Sequence, residues 1–395
     1  MEAMALVWSK KAVFATYAWI WLCFFMLAFH SSISSNLIYL AYNQFQQAPQ
    51  VTTANILATI IGGVLKLPIA KLITLWGRAE GLFVFLVIFE IGIVVLGSCK
   101  GPSSYATGYV LYWIAYNALY LIMDVFIADT SGLENRAFAF AFSTTVFIIT
   151  AFTGSLAATQ YIKHPGWRWG YYSFAFIMPA VFLPLIIMFK FFERKAYQKG
   201  ILKKTKSGRT ILQSIVHYAH EFDVIGAALL MAAFVLFLLP FSLQSYGKTQ
   251  YKTAKFIVMV IIGGLLFPCF WLWERYFAKT QFIKWRLLKN KTVIGACICT
   301  AAVDFSFMCW DQYFYNFNVV VYNMSTTHAG YMTQIFNVGS CFWSVIIGIW
   351  IKIVKTFKYT ALFIGFPLMI IGTDFHCFWR RNVVNLLGYG CYGCW

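Results

Sequence analysis

The chain has 395 residues, of which 61% are hydrophobic and 20% aromatic, whereas only 11% are charged. Together with a mean hydropathy of +0.71, this composition exceeds what a soluble core can hide and indicates a membrane protein with several spanning segments. The net charge of +18 does not indicate nucleic-acid binding, because the basic residues lie in short loops between apolar stretches rather than along one face.

Long apolar stretches recur along the chain, and a spanning helix needs about 20 such residues. The first of these stretches lacks a secretory cleavage site, so we predict that the first helix is retained. Eleven stretches qualify as predicted spans, at 12–31, 54–73, 81–98, 106–128, 138–160, 170–190, 222–242, 256–273, 293–315, 329–351 and 359–374. The fold class is therefore predicted to be all-α and polytopic.

Basic residues accumulate in every second loop between these spans, whereas the loop at 32–53 has none; the loop at 243–255, with three lysines, departs from this pattern. Lys and Arg in short loops favour the cytoplasmic side, so the pattern predicts a cytoplasmic N-terminus. The basic positions are Lys10 and Lys11, Arg78, Arg136, eight residues between Lys190 and Arg209, six between Arg275 and Lys291, and Lys352, Lys355 and Lys358.

Three carboxylates inside predicted spans are candidates for proton coupling: Glu90, Asp124 and Asp304. A charged side chain in the bilayer is costly, so an intramembrane carboxylate is a functional candidate by default. Each has a structural alternative. Glu90 could remain neutral and hydrogen-bond a neighbouring helix, and Asp124 could extend to the inner interface.

The ninth predicted span combines two carboxylates with aromatic side chains. Asp304 and Asp311 are seven residues apart and share one helical face, and Trp310 and Tyr313 flank the second of them. These residues are substrate-cavity candidates, because such a face suits a wet cavity for a bulky polar ligand. The alternative is an aromatic belt at the membrane interface, which we favour for the surroundings of Asp311.

Other polar features of the sequence are less specific. His30, near the outer end of the first span, could titrate near neutral pH or could be a structural residue. The sequence contains no phosphate-binding loop, no H-E-x-x-H and no paired Cys-His zinc spacing. An enzyme, an ATP-driven pump and a bound cofactor are therefore not expected.

Several longer motifs together resemble one transporter family. The first, "GGVLKLPIAKLITLWGR" (Gly62 to Arg78), follows the pattern of the loop after the second span in major facilitator transporters. The others are "FIADTSGLENRAFAFAF" from Phe126, "HPGWRWGYYSFAFIMPAVFLPL" from His164, "FDVIGAALL" from Phe222, and "CWDQYFYNF" with "AGYMTQIFNVGSCFWSVIIG" between Cys309 and Gly348. The chain thus resembles the fungal siderophore-iron transporter family of the major facilitator superfamily.

This resemblance implies a major facilitator fold and import of ferric hydroxamate siderophores by proton symport. The implied location is the plasma membrane or endosomal vesicles, and the implied partners are the ferric siderophore, protons and the lipid bilayer. Because the iron arrives already chelated, no metal site in the protein is expected. The implied domains are a six-helix bundle (1–190), a basic cytoplasmic loop (191–221), two inserted helices with a loop (222–291), a partial second bundle (292–374) and an atypical tail (375–395).

The same resemblance implies a cytoplasmic gate at the inner ends of the spans. Gly77 and Arg78 end the first motif, and Asp129 and Arg136 lie in the second. Within this gate, Asp129 is expected to pair with basic residues or to cap the following helix.

Some departures from the family pattern bear on activity. Relatives have about 14 spans, whereas this sequence contains about 11, so we expect the chain by itself to be inactive. Two other functions remain open at this point. One is a proton-coupled exchanger of glutathione or drugs on the same scaffold, and the other is a membrane protein that does not transport.

Overall fold

A computed structural model describes residues 10–45, 48–163, 166–199, 217, 220–221, 223–245, 251–278, 289–324, 326–356, 358–365 and 367. Every long element in this part of the chain is a helix. Helices are expected because the hydrocarbon layer offers no water to unpaired backbone groups, and a helix satisfies those groups within one segment.

Eleven long helices follow one another in the described ranges. They are α1 (Lys10–Phe45), α2 (Ala48–Trp76), α3 (Arg78–Ser98), α4 (Pro102–Thr130), α5 (Gly132–Thr144), α6 (Val146–Lys163), α7 (Trp169–Gln198), α8 (Val224–Ser245), α9 (Ala254–Tyr276), α10 (Lys291–Val321) and α11 (Thr326–Val354). A short turn (Lys358–Thr360) and a π-helical segment (Ala361–Gly365) follow α11.

Ten stretches among the described residues are long and apolar enough to cross a membrane. They coincide with the first ten predicted spans, so the predicted all-α polytopic fold is confirmed. The fifth span, Asn135–Lys163, is divided between α5 and α6 at Thr145. Half of the eleventh predicted span, 359–374, and the whole predicted tail at 375–395 lie outside the described residues.

The helices form two compact units that do not follow the order of the chain. Unit 1 contains Met1–Phe126 and Leu156–Lys284, and unit 2 contains Ile127–Ser155 and Trp285–Trp395. In unit 1, α7 packs against α1 and α3, while α8 packs against α2 and α9. In unit 2, α11 packs against α5 and α10. The domain boundaries predicted from the sequence stay a prediction.

Glycine allows the closest helix crossings in unit 1. A Cβ atom added at Gly92 of α3 would lie 2.6 Å from the backbone nitrogen of Tyr112 in α4. A Cβ atom at Gly263 of α9 would lie 2.5 Å from the backbone nitrogen of Phe237 in α8. Small residues at such points let helix backbones approach closely in a bilayer, where packing drives association.

A buried aspartate joins α8 to α9. Asp223 is 6% exposed, and its Oδ1 atom accepts hydrogen bonds from the backbone N–H of Gly226 at 3.2 Å and the indole N–H of Trp273 at 2.9 Å. The positive charge of Lys71, in α2, interacts with the carboxylates of Asp223, Glu221 and Glu274. The two helices after the basic loop are thereby attached to α2 within unit 1.

The crossing of α8 and α9 gives a matched pair of substitutions. Gly263→Ala should lower the free energy of unfolding by about 1–3 kcal/mol, because the new methyl group meets backbone atoms that cannot rotate away. Gly264→Ala should have almost no effect or stabilise slightly, because no atom lies within 4 Å of the position of its Cβ. Thermal unfolding of both variants in the same detergent checks this. Equal midpoints for the two variants would contradict the close crossing.

Candidate functional site

A stripe of polar aromatic side chains runs along one face of α4. Its members are half-buried, whereas the opposite face of the helix, which includes Ala115, Leu119 and Ile122, is fully buried. The α4 stripe consists of Tyr109, Trp113, Tyr116, Asn117, Tyr120 and Asp124. Their spacing of three or four residues places all six on one side of the helix.

The rings of the α4 stripe contact one another along the helix, and the first two pairs are stacked. The centroids of Tyr109 and Trp113 are 6.0 Å apart and those of Trp113 and Tyr116 are 5.4 Å apart, with nearly parallel planes in both pairs. Tyr116 and Tyr120 follow at 4.9 Å. The side-chain amide of Asn117 donates to the backbone carbonyl of Trp113 at 2.8 Å. Each ring therefore restricts its neighbour, and the stripe forms a pre-ordered surface.

Neighbouring helices of unit 1 border the stripe. Phe24 of α1 packs against Tyr120, with ring centroids 4.9 Å apart. Gly62 of α2 faces Trp113, and a Cβ atom there would lie 2.8 Å from the indole Cδ1 atom. The indole ring can lie here because glycine has no side chain at position 62.

Two opposite charges lie near the end of the stripe. Asp124 is half-buried on α4, and the charge of the exposed Lys66 on α2 acts on its carboxylate. Electrostatic attraction between them is stronger than in bulk water because the surroundings are of low dielectric constant. Asp124 was a sequence candidate, whereas Lys66 was not singled out.

Glu90 of α3 is also half-buried in unit 1, and its Oε1 atom has no hydrogen-bond partner. The other predicted proton-coupling residue, Asp304, lies on α10 in unit 2 and is exposed. The structure therefore places Glu90 and Asp124 in one unit and Asp304 in the other.

The remaining ninth-span candidates also lie on α10. Asp311 is half-buried, while the side chains of Trp310 and Tyr313 lie outside the described residues. Whether these side chains line a cavity stays a prediction. In the described part of unit 2, Thr144 and Ser344 approach each other at 3.4 Å between α5 and α11.

The predicted gate residues lie at helix ends. Gly77 separates α2 from α3 with a φ of +108°, a conformation that favours glycine, and Arg78 begins α3. In unit 2, Arg136 donates to the backbone carbonyl of Ala128 at 2.8 Å and so closes the turn between α4 and α5. Asp129, in the same turn, is exposed. The gate role of these four residues stays a prediction.

An ion-pair network near Gly77 was not found from the sequence. Lys190 of α7 forms an ion pair with Glu80 of α3 and another with Glu193 at 3.2 Å. Glu80 also lies where a side chain at Gly77 would be placed, because its Oε2 atom is 2.7 Å from that Cβ position. Glu80 and Lys190 are 110 residues apart in the sequence. Helical periodicity in one sequence does not indicate which distant residues pair.

No group of three or more His, Cys, Asp or Glu side chains within the described ranges is arranged to hold a metal ion. The side chains gathered along α4 instead offer aromatic faces, phenol groups, one amide and one carboxylate. Such a set can bind an amphipathic organic molecule through stacking and hydrogen bonds.

Comparisons with known proteins place the chain in a family. The family profile described as Major Facilitator Superfamily matches residues 20–255. The chain is 60% identical to siderochrome iron transporter 2 of Aspergillus fumigatus, covering 94% of this chain and 61% of that protein. It is 40% identical to MFS siderochrome iron transporter 1 of Ajellomyces capsulatus, covering 98% of this chain and 66% of that protein.

A third relative and a solved structure agree with this result. Siderophore iron transporter mirB of Emericella nidulans is 34% identical over 96% of this chain and 63% of its own length. The proton:xylose symporter XylE has the same fold, with a TM-score of 0.51 and 13% identity over 98% of this chain and 80% of that one. The chain thus spans less than two thirds of the length of these three curated relatives. It belongs to the major facilitator superfamily, and the predicted resemblance to its fungal siderophore-iron transporters is confirmed.

Proposed function

We propose that the protein acts in the import of ferric hydroxamate siderophores by proton symport, and that the α4 stripe contacts the siderophore. The stripe carries this proposal, because it is a half-buried row of polar rings in contact with one another inside a helical unit of a membrane protein. The names of the relatives, which describe siderochrome and siderophore iron transporters, supply the class of substrate.

The chemistry of the stripe suits such a chelate. A ferric hydroxamate complex encloses the iron in hydroxamate oxygens and presents methylene groups and amide carbonyls on its outside. Tyr and Trp rings can pack against the methylene groups, while phenol and indole groups donate hydrogen bonds to the carbonyls. The opposite charges of Lys66 and Asp124 compensate each other, so the site does not demand a charged ligand.

Proton coupling is proposed for Glu90 and Asp124 of unit 1 and for Asp304 of unit 2. Titratable carboxyl groups within membrane spans are the usual elements of proton relays. If substrate and proton bind to one conformation, each increases the affinity for the other by the same factor. Asp124 lies at the end of the stripe. Of the three carboxylates, it is therefore the one whose protonation should affect siderophore binding most directly.

We also propose a cytoplasmic N-terminus and a position in the plasma membrane or in endosomal vesicles. The charge of the loops supports the orientation, since the basic residues from Lys190 to Arg209 then lie inside. Protease added to intact cells should leave the chain uncut between residues 190 and 221, whereas protease added to inverted vesicles should cut there. The reverse result would overturn the orientation.

The proposed ligand can be tested by direct binding to the purified chain in lipid nanodiscs. Radiolabelled ferrichrome or ferrioxamine should bind saturably, and excess glutathione should not displace it. Gly62→Ala should weaken binding about tenfold, because the added methyl group must move Trp113 and so disturb the stacked rings. A tenfold loss corresponds to about 1.4 kcal/mol. Gly63→Ala is the matched control, since no atom lies within 4 Å of its Cβ position.

Binding that glutathione displaces would favour the exchanger function instead. Equal affinities of the Gly62→Ala and Gly63→Ala variants would show that the ligand does not bind to the α4 stripe. An absence of binding by the unaltered chain would contradict the proposed substrate contact.

The proposed proton coupling predicts that ferrichrome affinity depends on pH. The unaltered chain should bind ferrichrome more tightly at pH 5.5 than at pH 7.5, because proton and substrate binding support each other. Asp124→Asn should reduce this difference, since the amide keeps the shape of the side chain but cannot take up a proton. Glu90→Gln should act in the same direction. Binding titrations at both pH values measure the effect, and an unchanged difference in both variants would remove these residues from the coupling.

A further inference from the structure

A fully buried histidine in unit 1 is enclosed by aromatic rings from three other helices. His30 of α1 is 0% exposed. Its ring contacts four others, with centroid distances between 4.7 and 6.0 Å. We name this group the His30 cage, and its rings are His30, Phe89 of α3, Tyr112 of α4, and Tyr171 and Phe174 of α7.

The cage provides no hydrogen bond to the imidazole. Neither Nδ1 nor Nε2 of His30 has a hydrogen-bond partner, although a neutral imidazole has one donor and one acceptor. A buried group left unsatisfied usually costs about 1–3 kcal/mol, and such groups are rare in folded proteins. A phenylalanine would fill the same cage without this cost, so packing alone does not account for a histidine there.

The titratable and charged groups on the surrounding helices do not compensate an imidazolium either. Glu90 follows Phe89 on α3, and Tyr109 and Tyr116 lie one turn on either side of Tyr112 on α4. On α7, the hydroxyl of Tyr171 lies 3.2 Å from that of Ser34, and Arg168, one turn earlier, donates to the carbonyl of Cys99 at 2.9 Å. The first half of α2, residues 48–65, has no ionisable residue. His30 forms a hydrogen bond with none of these groups.

A proton on His30 would therefore place a cation in a dry aromatic enclosure with no acceptor or carboxylate bonded to it. Burial of an uncompensated charge costs several kcal/mol, and no hydrogen bond to the imidazole offsets this cost. The protonated ring and the closed cage are consequently incompatible. Two of the four surrounding rings, Tyr171 and Phe174, belong to α7, so relief requires that α1 move away from α7 and that water or a polar group reach the imidazole.

We propose that the His30 cage is a proton-sensitive latch that holds α1 against α3, α4 and α7 only while His30 is neutral. Protonation opens the cage and loosens the contact between α1 and α7. This inference concerns a conformational equilibrium of unit 1 and does not depend on the substrate.

Cys23 offers a natural reporter of this contact. It is 0% exposed, and its thiol donates to the carbonyl of Val181 on α7 at 3.8 Å. Cys23 lies seven residues before His30, so both residues face the same side of α1. Separation of α1 from α7 would expose this thiol.

The experiment measures labelling of Cys23 by a small uncharged maleimide in the purified full chain, with site-resolved mass spectrometry. The exposed Cys269 in the same molecules serves as an internal reference for the amount of reagent, and the His30→Phe variant at both pH values serves as the reference for the effect of pH on the labelling reaction. The ratio of Cys23 to Cys269 labelling should rise about tenfold or more between pH 7.5 and pH 5.5, since proton uptake drives the opening. His30→Phe should abolish this rise, and His220→Phe, which changes an exposed histidine, should preserve it.

Thermal unfolding at pH 7.5 provides the second measurement. His30→Phe should unfold at a higher temperature than the unaltered chain, because it removes two unsatisfied nitrogen atoms and keeps an aromatic ring in the cage. His30→Gln, which cannot take up a proton, should also show a pH-independent labelling ratio and covers the case in which phenylalanine does not fit. A flat ratio in the unaltered chain, or a retained rise in either His30 variant, would overturn the latch.

Discussion

Backbone hydrogen bonding in a medium without water is the constraint on which the whole structure depends. Within a bilayer each N–H and C=O group must find its partner inside the protein, and the ten apolar spans do so as helices. Even the prolines inside helices, such as Pro68 and Pro240, are accommodated rather than ending them. Specificity then comes from side chains, because neighbouring helices are as apolar as the lipid. Glycine crossings such as Gly92 against Tyr112 provide close packing, and a few buried polar groups determine how the helices fit together.

The polar groups of unit 1 differ in how completely they are satisfied. Asp223 accepts two hydrogen bonds through Oδ1 and joins α8 to α9, although its Oδ2 atom has no hydrogen-bond partner. Asp124 retains partial exposure next to the charge of Lys66. Glu90 and His30 each have buried atoms without hydrogen-bond partners. Asp223 thus joins two helices through its hydrogen bonds, whereas Asp124, Glu90 and His30 are the groups to which we assign a change of protonation state in the proposals above.

The positions of the spans could be predicted from the sequence because a spanning helix needs a continuous apolar stretch of fixed length. Carboxylates within the spans were found for a related reason, since one charge in such a stretch is conspicuous. The α4 stripe has a signal as well, namely the recurrence of Tyr109, Trp113, Tyr116 and Tyr120 at helical spacing. This signal does not stand out, because aromatic residues are frequent throughout the chain.

Other features could not have been found in one sequence. The contact of Lys190 with Glu80, the four rings around His30 and the interaction of Lys71 with Asp223 each join distant segments. Helical periodicity shows which residues share a face, but it does not show which helix that face meets. The close contact between Gly62 and Trp113 is likewise a property of the packing of two helices, although both residues were visible in the sequence.

The central claim is that the half-buried face of α4 borders a wet path, whereas its opposite face is packed. Cysteine substitution followed by labelling with a charged, hydrophilic thiol reagent tests this most directly. Asn117→Cys and Tyr109→Cys should be labelled readily, and Ala115→Cys and Leu119→Cys should remain unlabelled under the same conditions, because those two positions are 0% exposed. Labelling of all four positions at the same rate, or of Ala115→Cys and Leu119→Cys alone, would contradict the account.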